Sequence, residues 1–130
     1  GKEWFTDFAA AQKAAKESNK KIYILFTGSD WCPYCKILAE KVLTNAAFIN
    51  FAQAKLVLLY IDFPRSAPLP PKQEEANTKL YEQYEVEGFP TQLILNPDGK
   101  VLGQVIGIQS PAVCIMEIEA ILKKSEQQKP

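Results

Sequence analysis

The stretch "KIYILFTGSDWCPYC", residues 21–35, joins an apolar run, a turn and a pair of cysteines. Residues 21–27 are mostly β-branched, aromatic or aliphatic, without polar alternation, which predicts a central strand covered on both faces. The residues 28–30 are Gly-Ser-Asp, a combination typical of a turn. From 32 to 43, apolar side chains recur at helical spacing. The two cysteines are therefore expected where a helix begins directly after a buried strand.

The rest of the chain alternates predicted helices and strands. A helix is predicted over 5–18, with Phe5, Phe8, Ala9 and Gln12 on one face and a cap at Thr6 or Asp7. Further elements are a helix at 45–54, a strand at 55–62, a helix at 74–84, two strands within 91–107 and a helix from Ser110-Pro111 to about 125. Asn96-Pro97-Asp98-Gly99 predicts a hairpin turn between the last two strands. Residues 63–75 contain four prolines and are interpreted as a rigid spacer rather than a substrate-facing loop.

This order of elements predicts an α/β fold. Strands separated by helices are expected to pair in parallel, and the terminal hairpin is antiparallel. The prediction is a mixed central sheet with helices on both faces, formed by one domain over 1–130.

Composition excludes several classes of protein. Fifteen basic and fifteen acidic residues cancel, so no electrostatic case exists for binding nucleic acid. No apolar run reaches the roughly 18 residues of a membrane span, and the opening "GKEWFTDF" does not look like a signal peptide. The absence of histidine removes the commonest general base and the commonest zinc ligand. Neither a metal nor a cofactor is therefore expected.

The position of the cysteine pair favours redox chemistry. A helix N-terminus presents unpaired N–H groups and the positive end of a dipole, which favours Cys32 as an attacking thiolate. Pro33 suits the first helical position, and Cys35 lies one turn on, within reach of a disulfide formed at Cys32. A structural disulfide, half of a metal site and an iron–sulfur cluster shared between two chains remain alternatives. Cys114 lies in an apolar stripe and is expected to pack in the core.

Two motifs carry a resemblance. "WCPYC" after a buried strand and "EGFPT" at 87–91 before the hairpin resemble the active site and the cis-proline loop of the thioredoxin superfamily. The stretches "FTGSDWC", "YIDFPR" and "VEGFPT", with the proline-rich insertion, look most like the bacterial DsbH-type members, and the likeness runs from Trp4 to about Lys123. The resemblance implies a thioredoxin fold and a thiol–disulfide oxidoreductase with Cys32 as nucleophile and Cys35 as resolving thiol. The Pro-Tyr order within the pair resembles glutaredoxins and suggests a potential near roughly −200 to −230 mV.

The resemblance also implies a substrate site and partners. A cis bond before Pro90 would bring Phe89 and Thr91 beside the sulfurs, where their backbone pairs with an extended substrate segment. The residues expected to bind substrate are Trp31, Pro33, Tyr34, Phe89, Pro90 and Thr91. The implied partners are proteins with disulfides or thiols and a recycling redox partner, possibly bound to a membrane, with the chain itself a monomer. The bacterial periplasm or secretion is the expected location, and the cytoplasm the alternative. A non-enzymatic redox sensor or binding module is the competing hypothesis.

One expected feature of the family is missing. Many thioredoxins bury an aspartate on the strand behind the pair, where it exchanges a proton with the second cysteine. Here Leu25 or, in an ungapped alignment, Phe26 takes that place, and Leu58 stands where a nearby lysine is common. The proton of Cys35 therefore has no acceptor that the sequence identifies.

Overall fold

The computed structural model describes residues 4–127; residues 1–3 of the opening stretch, where no leader was expected, lie outside it. The strands are β1 (Trp4–Phe5), β2 (Lys21–Thr27), β3 (Leu56–Asp62), β4 (Thr91–Leu95) and β5 (Val101–Val105). The helices are α1 (Phe8–Ser18), α2 (Pro33–Leu38), α3 (Ala46–Lys55), α4 (Pro71–Gln83) and α5 (Pro111–Gln127), and α2 continues into a π-helical turn at Ala39–Leu43.

The sheet has the strand order β1-β3-β2-β4-β5 and confirms the predicted mixed α/β fold. Strand β2 pairs with β3 in parallel and with β4 antiparallel, and β4 and β5 form the antiparallel hairpin. The expectation that helix-separated strands pair in parallel is wrong for β2 and β4. The connection 63–90 starts and finishes at the same edge of the sheet, so β4 begins where β2 and β3 end. Thr27 pairs with Asp62, and its neighbour Phe26 pairs with Thr91, at this edge.

Side chains of β2 alternate between two buried clusters, one on each face of the sheet. Ile24 and Phe26 pack with residues of α1 and α4 on one face. Tyr23 and Leu25 pack on the other face with residues of α2, α3 and α5. Every residue from 22 to 28 is buried, as the apolar run predicts. Helices on both faces are thus confirmed, and the edge at Thr27 is where the site is built.

The first predicted helix is too long by three residues. Trp4 and Phe5 form β1, which pairs in parallel with Leu58 and Leu59 of β3. A strand of two residues has no periodicity of its own, so the pattern could not reveal it. The helix begins at Phe8 after Asp7, whose carboxylate accepts the Ala10 N–H at 2.9 Å. Its buried face is formed by Ala11 and Ala15, whereas the predicted Ala9 is exposed.

The predicted start of the helix over 74–84 is three residues too late. Helix α4 begins at Pro71, with Pro70 at the capping position, because proline lacks only an N–H that the first helical turn leaves unpaired. The Asn96–Gly99 hairpin turn is present: the Gly99 N–H donates to the Asn96 carbonyl at 2.9 Å, and Gly99 has a φ of +94°. Among residues 4–127, no helix is long and apolar enough to cross a bilayer.

Candidate active site

Cys32 lies at the capping position of α2, and Pro33 is the first helical residue, as predicted. The Cys35 N–H points back at the Cys32 sulfur at a distance of 3.3 Å. The Cys32 thiol also lies 3.8 Å from the Phe89 carbonyl oxygen, to which it donates. The N–H of Cys35 and the other unpaired N–H groups at the start of the helix would stabilise an anionic sulfur at this position.

Cys35 has different surroundings, although the two cysteines are exposed to nearly the same extent, 5% for Cys32 and 4% for Cys35. Its sulfur accepts the Gly28 N–H at 3.4 Å, and the Thr27 side chain hydrogen-bonds it as well. Burial raises the pKa of the Cys35 thiol to about 11, and the hydrogen bond with Cys32 adds to this rise. The hydrogen bonds from Thr27 and Gly28 oppose it. Cys35 therefore holds its proton at neutral pH.

A groove lies beside the cysteines on the side of the hairpin. The Phe89–Pro90 peptide bond is cis, as the resemblance implies, and Thr91 begins β4. The groove has a volume of about 400 Å³ and is lined by Tyr34, Phe89, Pro90, Gln92, Gly107 and Ile108. Tyr34 is 65% exposed, so its ring is free to meet a partner. Of the residues expected to bind substrate, Tyr34, Phe89 and Pro90 thus share one open surface next to Cys32.

Trp31 precedes Cys32 and does not line the groove. Its indole N–H donates to the Phe63 carbonyl at 2.7 Å, and its ring meets the Phe89 ring edge-on at 5.6 Å. A Cβ at Gly28 would lie 2.4 Å from the indole, so only glycine leaves room for the ring. The Arg65 guanidinium lies over the Trp31 ring, 3.7 Å from its centre, in a cation–π contact.

The proline-rich segment is tied to the cysteine turn, which supports its interpretation as a rigid element. The Asp30 carboxylate accepts the N–H groups of Arg65 and Ser66 at 3.0 and 2.8 Å, and these bonds lower the pKa of Asp30. The Asp62 carboxylate accepts the Ser29 N–H at 3.0 Å and its hydroxyl at 2.6 Å. We call residues 28–31 and 62–66 the polar side of the site.

Two neighbours of Cys35 were missed by the sequence analysis. Thr27 hydrogen-bonds the Cys35 sulfur, and Ser29 hydrogen-bonds Asp62. A hydroxyl residue at the end of a strand or in a turn carries no sequence signal of its own. Leu25 is 2% exposed and packs in the cluster that contains Leu38, and Phe26 packs on the opposite face. Either alignment therefore leaves an apolar side chain on β2 where an acid was sought.

The third cysteine lies away from this site. Cys114 is 2% exposed and packs in the cluster between the sheet and α5, as predicted. Burial raises the pKa of its thiol to about 11, with a smaller contribution from Glu117. All three cysteines are free thiols. Within residues 4–127, no three metal-binding side chains gather in one place.

Comparison with known proteins gives one consistent result. A thioredoxin-like domain model matches residues 8–125. The chain is 35% identical over 98 residues to a disulfide bond reductase, DsbH of Chlamydia pneumoniae, a match that covers 75% of this chain and 59% of that protein. The solved structure of a DsbH oxidoreductase superposes with a TM-score of 0.86 at 32% identity, covering 92% of this chain and 83% of the other. A thioredoxin from Thermus thermophilus shares the fold, with a TM-score of 0.71 at 22% identity over 94% of this chain and 88% of its own.

Proposed function

Since the chain belongs to the thioredoxin-like family, we propose that it is a thiol–disulfide oxidoreductase that reduces disulfides in other proteins. The observation that carries the proposal is the contrast within the pair. The Cys32 sulfur receives the Cys35 N–H at 3.3 Å beside an open groove. Cys35 holds its proton, with a pKa of about 11. These properties are those expected if Cys32 attacks the substrate disulfide and Cys35 then resolves the mixed disulfide.

The reaction has two exchange steps. The Cys32 thiolate attacks one sulfur of a substrate disulfide; the S–S bond breaks, and the departing sulfur leaves as a thiolate that takes up a proton. Cys35 then loses its proton and attacks the Cys32 sulfur, which releases the second substrate thiol. The protein ends with a Cys32–Cys35 disulfide, and two electrons have passed to the substrate. A dithiol partner must return those two electrons before the next cycle.

The substrate is proposed to lie along the groove as an extended segment. Thr91 opens β4 next to the cis bond, and its backbone is placed to pair with such a segment, while Pro90 and Phe89 bring it to Cys32. Tyr34 and Ile108 supply apolar contacts. Trp31 and Pro33 complete the rim around the sulfur. Substrate side chains flanking the disulfide are therefore expected to be apolar.

The partners and the location are proposed from the relatives. The chain spans 59% of the length of DsbH of Chlamydia pneumoniae, whose name states that it reduces disulfide bonds. We propose that this protein acts in the bacterial periplasm, as a monomer that a membrane-bound redox partner recycles.

The test is catalytic reduction of insulin by dithiothreitol with substoichiometric protein. Turnover is expected for the unaltered chain, because one dithiol is regenerated many times by the reductant. A redox sensor or a binding module would be oxidised once and show no turnover, and that result would reject the proposal. The Cys35→Ser variant should trap substrate as a mixed disulfide on Cys32.

A further inference from the structure

Cys35 needs a proton acceptor when it resolves the mixed disulfide. Burial raises the pKa of the Cys35 thiol, so the thiol is protonated at pH 7 and must lose its proton before it attacks. The buried polar side chains among the described residues are Thr27, Asn77 and Gln92, and none of these takes up a proton near neutral pH. A carboxylate that is partly exposed and close to Cys35 would meet the need.

Asp62 is such a carboxylate, and the Gly28-Ser29 turn connects it to Cys35. The Gly28 N–H donates to the Cys35 sulfur at 3.4 Å. The next residue, Ser29, donates its N–H to one Asp62 oxygen at 3.0 Å and its hydroxyl to the other at 2.6 Å. Asp62 also pairs in the sheet with Thr27, whose side chain reaches the same sulfur. Thiol and carboxylate are thus held by adjacent residues of one turn.

Tyr60 adds a second hydroxyl to this group. It lies two residues before Asp62 on β3 and therefore on the same face of the strand. Its phenol is half-buried and hydrogen-bonds Ser29. Burial raises the pKa of Tyr60, and the charges of Asp62 and Cys35 add to the rise.

The group opens to solvent on the side away from the groove. A cavity of about 360 Å³ is lined by Thr6, Tyr60, Asp62, Leu69, Pro70, Gln73 and Asn77. Asp62 is the charged member of this described set, and the α4 side chains that face it, Gln73 and Asn77, are neutral. The other titratable groups that face Cys35 are Cys32 on its own helix and Tyr60 on β3. The cavity is large enough for water to exchange a proton with the carboxylate.

We propose that Asp62 accepts the proton of Cys35 during resolution, with the hydroxyls of Tyr60 and Ser29 as the relay between them. Each hydroxyl receives one proton and passes one on, so Asp62 gains what Cys35 loses. The Cys35 thiolate then forms the bond to the Cys32 sulfur as the Cys32–substrate bond breaks. Asp62 returns its proton to solvent through the cavity. The carboxylate that is missing from β2 is in this way supplied by the neighbouring strand β3.

This inference rests on the proposed function, and one experiment separates the two. Ellman's reagent releases two thionitrobenzoate equivalents from a dithiol: the first reports attack by Cys32, and the second reports resolution by Cys35. The protein is mixed with the reagent in a stopped-flow instrument from about pH 6 to about pH 9. A Cys114→Ala background removes the third thiol. A reduced protein that releases no first equivalent at Cys32 would reject the proposed function itself.

Asp62→Asn should leave the first phase within about twofold and slow the second phase by about 10²-fold near pH 7. The deficit should shrink as the pH rises, because hydroxide then removes the proton. Asp98→Asn is the matched control: it makes the same change in charge in the β4–β5 hairpin turn, where the Asp98 carboxylate is 79% exposed in its ion pair with Lys16. It should show the second phase of the parent protein.

A structural role for Asp62 would give a different profile. The second phase would then slow by the same factor at every pH, or not at all, and either result would overturn the inference. If Asp62→Asn fails to fold, Tyr60→Phe provides the decision. That variant removes a relay hydroxyl and no carboxylate, and it should slow the second phase near pH 7 but not at high pH. An unchanged second phase in Tyr60→Phe would count against the relay.

Discussion

The two sides of the cysteine pair are built in opposite ways. On the polar side, residues 28–31 and 62–66 are joined by hydrogen bonds from Ser29, Trp31, Arg65 and Ser66. On the groove side, the surface around Phe89–Pro90 is open and largely apolar, and Tyr34 is 65% exposed. The polar side fixes the geometry of the turn and contains the carboxylates of Asp30 and Asp62. The other side leaves side chains and backbone free to contact a partner. The residues that position the cysteines and those that recognise a partner therefore belong mainly to different sides of the pair.

The strongest test of this comparison removes each of the two thiols in turn. Cys32→Ser and Cys35→Ser should each lower the rate of insulin reduction by at least about 10³-fold, because each exchange step needs its own thiol. Only Cys35→Ser should accumulate mixed disulfides, since Cys32 faces the groove. Non-reducing gels followed by mass spectrometry of the trapped species would show this. Equal trapping by both variants would mean that the two sides are not functionally distinct.

The second test measures how far burial raises the pKa of the Cys35 thiol. In a Cys32→Ser, Cys114→Ala background, Cys35 is the remaining thiol, and iodoacetamide should modify it about 10²-fold more slowly at pH 7 than an unperturbed cysteine. The rate should rise tenfold per pH unit well beyond roughly pH 8.5, because burial raises the pKa of the thiol. Burial, the largest cause, is retained in this background.

The sign of the accompanying change in stability follows from the same pKa. The folded state binds the Cys35 proton more tightly than the unfolded chain does, so its contribution to stability is complete below the unfolded pKa of roughly 8.5 and is lost as the pH rises towards about 11. Urea midpoints from pH 8 to pH 10, compared with those of Cys35→Ala, should fall faster in the protein that retains Cys35. A plateau in the alkylation rate near roughly pH 8.5 would show that burial does not raise the pKa of Cys35.

The third test addresses the groove. Ile108→Ser removes an apolar contact from the lining, and we expect KM for insulin to rise about fivefold, since part of an isoleucine side chain is worth roughly 1 kcal/mol. Ile106→Ser is the matched control, because Ile106 is 63% exposed but does not line the groove. Reduction of a small disulfide such as Ellman's reagent should be unaffected in both variants. An equal rise in KM for both would place recognition elsewhere.

The same comparison explains how much the sequence predicted. The buried strand at 21–27, the pair at 32 and 35 and the "GFPT" loop are encoded by local patterns, and the fold and the groove side follow from them. The polar side depends on contacts between residues about 33 positions apart, such as that of Ser29 with Asp62. No periodicity in the sequence marks such a contact, and a serine in a turn does not by itself predict which residue it will hydrogen-bond.

The errors in the predicted fold have the same origin. The two-residue strand β1 exists because Trp4 and Phe5 find a partner in β3, and the antiparallel course of β4 results from where the segment 63–90 returns. Both are properties of the assembled sheet. The absence of an acid on β2 was read correctly from Leu25 and Phe26, but its replacement could be proposed only once β3 lay beside β2.

The smallest expected effect concerns Asp30, whose carboxylate holds the N–H groups of Arg65 and Ser66. These bonds lower the pKa of Asp30 in the folded state. The stabilisation is therefore present above the unfolded pKa of roughly 3.9 and is lost as the pH falls through the lower folded value. Urea denaturation of the parent protein and Asp30→Asn should differ at pH 7 and converge in acid.

The matched control for that measurement is Asp98→Asn. Asp98 lies in the hairpin turn and is 79% exposed in its ion pair with Lys16, so its removal should change the urea midpoint little at any pH. If Asp30→Asn is as stable as the parent protein at pH 7, its hydrogen bonds to the backbone of Arg65 and Ser66 do not hold the segment. Trp31 is then positioned by its other contacts, which include the Phe63 carbonyl and the Phe89 ring. If instead the variant is less stable and the Trp31 fluorescence also shifts, Asp30 orders the indole beside Cys32. The polar side is then held in place by the hydrogen bonds of the Asp30 carboxylate as well as by packing.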